Sequence, residues 1–165
     1  MKFFLKYISG SETAVIWNFQ RRLRITEYYK NTGRVFRYNI SKILLNYKKN
    51  KYGMHISLNV FEKGLKIMHL GSILTNGNAK VGTDCSIHIN TAIVAQGVNS
   101  GVPVLGNDIV IGVGSTLLGE ISIANGIAIG ANALVNKSFL DENIAIAGVP
   151  AKKVSNMGTL SWNKP

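Results

Sequence analysis

Cysteine is almost missing from this chain: Cys85 stands alone, so no internal disulfide can form and nothing marks a secreted, oxidised protein. Its place inside a repeated unit suits a small buried filler rather than a nucleophile. Long apolar runs are missing as well. The opening MKFFLKYISG is interrupted by Lys6 and followed by a polar stretch, too short for a signal-peptide core or a bilayer span, which predicts a cytoplasmic protein. Acidic residues are few, 8 against 19 Lys and Arg, and the excess is local. Residues 1–53 hold twelve Lys and Arg against Glu12 and Glu27, a net of +10, and the remainder holds seven against six, a net of +1. A basic patch of this kind suits phosphates, an anionic membrane surface or an acidic partner, or is the solvated face of a helical pair. No zinc-finger, RNA-motif or helix-turn-helix pattern accompanies it, so nucleic acid is not expected as a partner.

What the chain does have is a period. One aliphatic residue returns every six positions at Val81, Ile87, Ile93, Leu105, Ile111, Leu117, Ile123, Ile129 and Val135, in units such as VGTDCS, LGNDIV and IGANAL. Six matches neither the helical period nor two-residue alternation along one strand. It predicts very short strands joined by corners, with Gly, Asn and Asp where the backbone must turn sharply. Stacked units would bury a continuous aliphatic column that no single unit buries alone. A β-sandwich of irregular short strands is the competing reading, and nine anchors with one interruption in register argue against it.

The chain has room for one principal domain and an appendage. Residues 1–53 form the basic N-terminal helical segment: Glu12 to Asn31 as one helix, with Ser11 its cap, Ile16, Phe19 and Leu23 on one face and Gly33 its stop, and Arg34 to Lys51 as a second, with Phe36, Ile40, Ile43, Leu44 and Tyr47 on one side. Both helices are amphipathic and require a partner surface, and the aromatics of this segment are expected to pack. Residues 54–155 form the repeat domain, with Ile56, Ile67 and Ile73 as inward anchors of its first coils. VAQGVNSGVPV breaks the register and reads as an extruded loop. Residues 156–165 read as a flexible tail, with Trp162 a side chain that could dock.

The run VIGVGSTLLGEISIANGIAIGANALVNKSF, closed by IAIAGVPAKKV, resembles the hexapeptide-repeat acyltransferases and, within them, the serine acetyltransferase family. The resemblance covers residues 53–154. It implies an all-β main domain, a left-handed parallel β-helix with a short N-terminal α-helical segment, a homotrimer, and acetyl-CoA as acetyl donor.

It also implies a site. Transfer of an acetyl group from a thioester to a hydroxyl needs a base for the hydroxyl proton, and imidazole titrates in the right range. His69, in IMHLGS, matches the family's catalytic histidine. The acidic residue that orients it in the family falls on His55, or on Met54 without a one-residue deletion, and neither is a carboxylate. His55 is therefore a second candidate, and a backbone carbonyl is the alternative. His88, in SIHINT, lies one coil further on and suits a corner or structural role. The spacings of the three histidines, 14 and 19, do not fit a zinc site of this fold, which needs two histidines about five apart, so no metal is expected.

For the donor, the matching residues are Val113, Gly114, Ser115, Gly130, Ala131, Ala147 and Gly148 along the coil edge, with Lys152 and Lys153 toward the nucleotide phosphates. For the acceptor the chain departs from the family. Gly101 and Val102 replace an Arg-His pair suited to the serine carboxylate, and Met68 replaces an Asp suited to its amine. Three functions follow: an acetyl-CoA-dependent O-acetyltransferase of the serine type, a sugar O-acetyltransferase of surface polysaccharide biosynthesis, and an inactive β-helix that serves assembly.

Overall fold

The computed structural model describes residues 7, 9–98 and 100–161; the MKFFLK opening and Trp162 lie outside them. Among the described residues thirteen strands of two to four residues wind as a parallel β-helix with three faces. The first face stacks β1 (Met54–His55), β3 (Ile73–Thr75), β6 (Thr91–Val94), β9 (Thr116–Leu118) and β12 (Leu134–Val135). The second stacks β4 (Lys80–Val81), β7 (Val104–Leu105) and β10 (Ser122–Ile123). The third stacks β2 (Lys66–Ile67), β5 (Ser86–Ile87), β8 (Val110–Ile111), β11 (Ala128–Ile129) and β13 (Ala145–Ala147), and is closed by the antiparallel β14 (Lys152–Ser155).

All nine sequence anchors are buried, as are Ile56, Ile67 and Ile73. Register explains why six works: Ile67, Ile87, Ile111, Ile129 and Ile146 sit directly over one another on the third face, each filling the space under the next. Burying such a side chain contributes roughly 1.5–3 kcal/mol. The step from Ile111 to Ile129 takes 18 residues, whereas that from Ile87 to Ile111 takes 24. The six additional residues are the extruded loop between β6 and β7, where Val98 stands fully in solvent.

Helix α1 (Glu12–Asn31) lies against the first coils and contributes Ile16, Phe19 and Leu23 to the same apolar core. Ser11 occupies its N-cap position without making a side-chain cap bond, contrary to expectation. Helix α2 (Val35–Tyr52) ends at Gly53, whose φ of 71° is the left-handed turn that β1 then follows. Its expected apolar face points the other way: Ser41 and Leu45 are buried, and Phe36, Ile40, Ile43, Leu44 and Tyr47 are exposed. The Thr26 and Ser41 hydroxyls, 2.7 Å apart, form the contact between the helices, where small side chains permit close approach. Of the aromatics expected to pack, Phe19 is buried, while Trp17, Tyr28, Phe36 and Tyr47 are exposed. The described part of the tail, residues 156–161, docks on the coils, contrary to expectation: Gly158 and Thr159 are buried, Thr159 Oγ1 donates to Asp108 at 2.6 Å, and a 3-10 turn covers Thr159–Ser161.

Among the described residues no helix is long and apolar enough to cross a membrane.

Candidate active site

The site is built on the corner that joins the third face to the first. Each coil leaves the third face through an inward isoleucine and then turns, so Met68, His88, Gly112, Gly130 and Ala147 follow in one column, with His69, Ile89, Val113, Ala131 and Gly148 beside them. The amides run up this corner in order: Gly114 N–H donates to the Ile89 carbonyl at 3.0 Å and Asn132 N–H to the Val113 carbonyl at 2.7 Å. Small residues are required here by the backbone itself. A side chain at Gly112 would come within 2.7 Å of the Ile129 carbonyl oxygen, and one at Gly130 within 2.8 Å of Ala147 Cβ.

His69 opens the column and is exposed, its side chain 58% accessible. Its Nδ1 lies 3.4 Å from Glu12 Oε2, and the other carboxylate oxygen, Oε1, accepts the Leu70 N–H at 2.8 Å. The Leu70 N–H and, after it, the bond to His69 hold the Glu12 carboxyl below the ordinary carboxylate range. His88, one coil on, is buried, with its ring centroid 6.3 Å from that of His69. Burial, reinforced by the nearby His69, pushes the His88 imidazole down, which favours its neutral form.

His55 is placed elsewhere. It stands on β1 across from Leu74, on the first face, and among the described residues no hydrogen bond or ring contact joins it to His69. The group that reaches His69 is Glu12, which sequence reasoning placed only as the start of a helix. It lies 57 residues away, and no linear spacing announces it.

Of the expected donor-binding residues, Val113, Gly114, Gly130, Ala131, Ala147 and Gly148 share the His69 corner. Val113 lies two coils from His69, roughly 10 Å at the strand spacing of a sheet. The Ser115 hydroxyl is buried and spent on the coils, its single proton shared between the Gly112 and Gly130 carbonyls at 2.8 and 2.9 Å, so its backbone is what faces a ligand. Lys152 and Lys153 are exposed on β14, Lys152 opposite Ala147, and both border a cleft of about 370 Å³ with Asp141, which pairs with Lys153 at 3.3 Å. Cys85 is buried and its thiol is pushed up to about 11, chiefly by burial, which removes it as a nucleophile. Among the described residues no three His, Cys, Asp or Glu side chains come together as a metal-binding group.

No family model matches the chain. A serine acetyltransferase of Buchnera aphidicola subsp. Acyrthosiphon pisum (strain APS) is 27% identical over 147 residues, covering 84% of this chain and 51% of that protein. The serine acetyltransferase of Brucella abortus strain S19, solved in complex with coenzyme A, matches the fold with a TM-score of 0.70 at 24% identity over 84% of this chain and 55% of that one. The relatives and solved structures that the chain resembles are recurrently serine acetyltransferases. Soybean serine acetyltransferase complexed with serine matches with a TM-score of 0.68 at 22% identity, over 82% of this chain and 56% of that one. The shared fold is the left-handed parallel β-helix that the resemblance implied. The chain spans about half the length of the curated relatives it matches.

Proposed function

We propose that this hexapeptide-repeat protein is an acetyl-CoA-dependent O-acetyltransferase in which His69 is the general base for a small hydroxyl acceptor. The observation that carries the reading is the placement of an exposed, carboxylate-paired imidazole on the same corner as Val113, Gly114, Gly130, Ala131, Ala147 and Gly148. That corner offers backbone to an extended thioester arm, and Lys152 and Lys153 offer charge to its phosphates. The chemistry asked of the imidazole is one proton: the acceptor hydroxyl attacks the thioester carbonyl, the C–S bond breaks, and the proton passes through His69 to the leaving sulfur. Serine is the acceptor that the relatives' name suggests.

A second acceptor class, a neutral sugar hydroxyl, is favoured by two observations. Met68, half-exposed next to His69, offers no charge to an amine, and the described part of the extruded loop, residues 95–98 and 100–103, contains no cation for a carboxylate. Exposed Leu74, Val104 and Leu140 on the coil surface support the expected self-association into a trimer. The domain division at 53/54 and 155/156, with work in the cytoplasm, belongs to the same reading. Helix α2 supports contact with an anionic membrane surface: Phe36, Ile40, Ile43 and Tyr47 form its outward stripe, Arg37, Lys48 and Lys51 lie on one flank and Lys42 on the other, and the helix has no acid.

The test is free-thiol release from acetyl-CoA over serine, homoserine, amino sugars and neutral sugars. Wild-type protein is expected to release thiol with at least one acceptor, and His69→Ala to lose about 100-fold or more of that rate. Equal rates with and without His69, or no acceptor-dependent release, would contradict the reading.

A further inference from the structure

We propose that Glu12 is a positioning residue for His69: the carboxylate that fixes the imidazole comes from the first turn of α1 and crosses to the coil, where among the described residues no carboxylate of the β-helix bonds to His69. The inference rests on the acetyltransferase reading above and names a member of that site. Two bonds define it. Oε1 takes the Leu70 N–H at 2.8 Å, which locks the carboxylate to the backbone of the residue after His69, and Oε2 faces Nδ1 at 3.4 Å.

The helix that presents Glu12 is itself fastened to the coils. Gln20 Nε2 donates to the Leu65 carbonyl at 2.7 Å, Arg24 Nη1 to the Phe61 carbonyl at 2.8 Å and Nη2 to that of Glu62, and Glu27 Oε1 accepts the Asn59 N–H at 2.8 Å. Glu12 therefore approaches His69 from a body already in place. A distance of 3.4 Å is at the long end for such a pair, as is common for catalytic hydrogen bonds before substrate binds.

The chemical consequence lies in the tautomer. An ionised carboxylate only accepts, so facing Nδ1 it keeps the imidazole proton there and leaves the lone pair of Nε2 for the acceptor hydroxyl. When Nε2 takes that proton, the carboxylate stabilises the imidazolium until the proton passes to the departing sulfur. The charge is available over the whole range in which an imidazole titrates, because Glu12 is held below the ordinary carboxylate range and ionises at still lower pH. Its place in the first turn of a helix acts in the same direction. His88 is also packed near His69, and burial favours its neutral form, so among the described residues Glu12 is the charged side chain bonded to the imidazole.

The experiment compares wild type, Glu12→Gln, Glu12→Asp and His69→Ala as full chains, with the best acceptor of the panel, measuring kcat, KM and the pH dependence of kcat/KM. Gln keeps an acceptor for Leu70 but turns an N–H toward Nδ1, which favours the wrong tautomer. Glu12→Gln is expected to lower kcat about tenfold with KM for acetyl-CoA changed less than about twofold, and to move the acid limb of the profile to lower pH. Glu12→Asp, which keeps the charge, is expected to restore the limb and part of kcat. Wild-type kcat and an unmoved limb in Glu12→Gln would overturn the assignment. So would a loss that Asp does not relieve and that leaves the limb in place, the mark of a purely structural contact. A wild type silent over the whole panel overturns the acetyltransferase reading itself, an outcome distinct from either.

Discussion

In the coiled body every inward side chain finds its neighbour one turn later: Ile87, Ile111, Ile129 and Ile146 lie over one another, all buried. The helical pair is built differently. Helix α2 buries only Ser41 and Leu45 and leaves Phe36, Ile43 and Tyr47 in the open, while α1 is fastened through Gln20, Arg24 and Glu27 to the edge of the first coils. The contrast teaches that, in the proposed site, the two parts contribute different things. The coils stand on a repeated apolar column and contribute the imidazole and a backbone-lined corner. The helices contribute basic charge and, among the described residues, the carboxylate that reaches His69.

Breaking each part should therefore give a different signature. The largest effect on stability is expected in the column: Ile111→Ala should cost about 2–5 kcal/mol in denaturant unfolding, since the coils above and below cannot close around the missing atoms. An intermediate effect is expected where the two parts are joined. Arg24→Ala removes the bonds to the Phe61 and Glu62 carbonyls and should cost about 1–3 kcal/mol, and it should also lower kcat, because Glu12 rides on the same helix. If kcat is unchanged despite that loss of stability, the helix does not set the geometry at His69. The smallest effect on stability is expected on the outward face of α2, where Phe36→Ser with Ile43→Ser should stay within about 0.5 kcal/mol per site. The same pair should weaken sedimentation with anionic vesicles and leave the low binding to neutral ones unaltered. Equal binding of wild type and variant would remove the membrane from the account.

The unevenness of what the sequence discloses follows the same division. The column was legible because its cause is local and periodic: one aliphatic residue in six can be read at Val81, Ile111 or Ile129 without knowing what lies opposite. His69 was singled out from the motif IMHLGS and the corner residues from their match to the family, and what the fold adds is that His69, Val113, Gly130, Ala131 and Ala147 fall on one corner. The face of α2 was misread because Phe36, Ile40, Ile43, Leu44 and Tyr47 have the spacing of a buried stripe, whereas the close approach of Thr26 and Ser41 decides which side turns inward. Glu12 could be read as the start of a helix but not as a partner of His69. Its partners are 57 and 58 residues away, joined by tertiary contact alone. The docked end of the chain was missed for the same reason, since Thr159 is held by Asp108, 51 residues earlier.

The claim that the site is composite, with an imidazole from the coil and a carboxylate from the helix, is tested most directly by nitrogen NMR of the histidine side chains near neutral pH, with His69→Ala used for assignment. The account predicts that His69 carries its proton on Nδ1 with Nε2 bare, and that Glu12→Gln abolishes this preference. A His69 protonated on Nε2, or one whose spectrum is the same in Glu12→Gln, would contradict it.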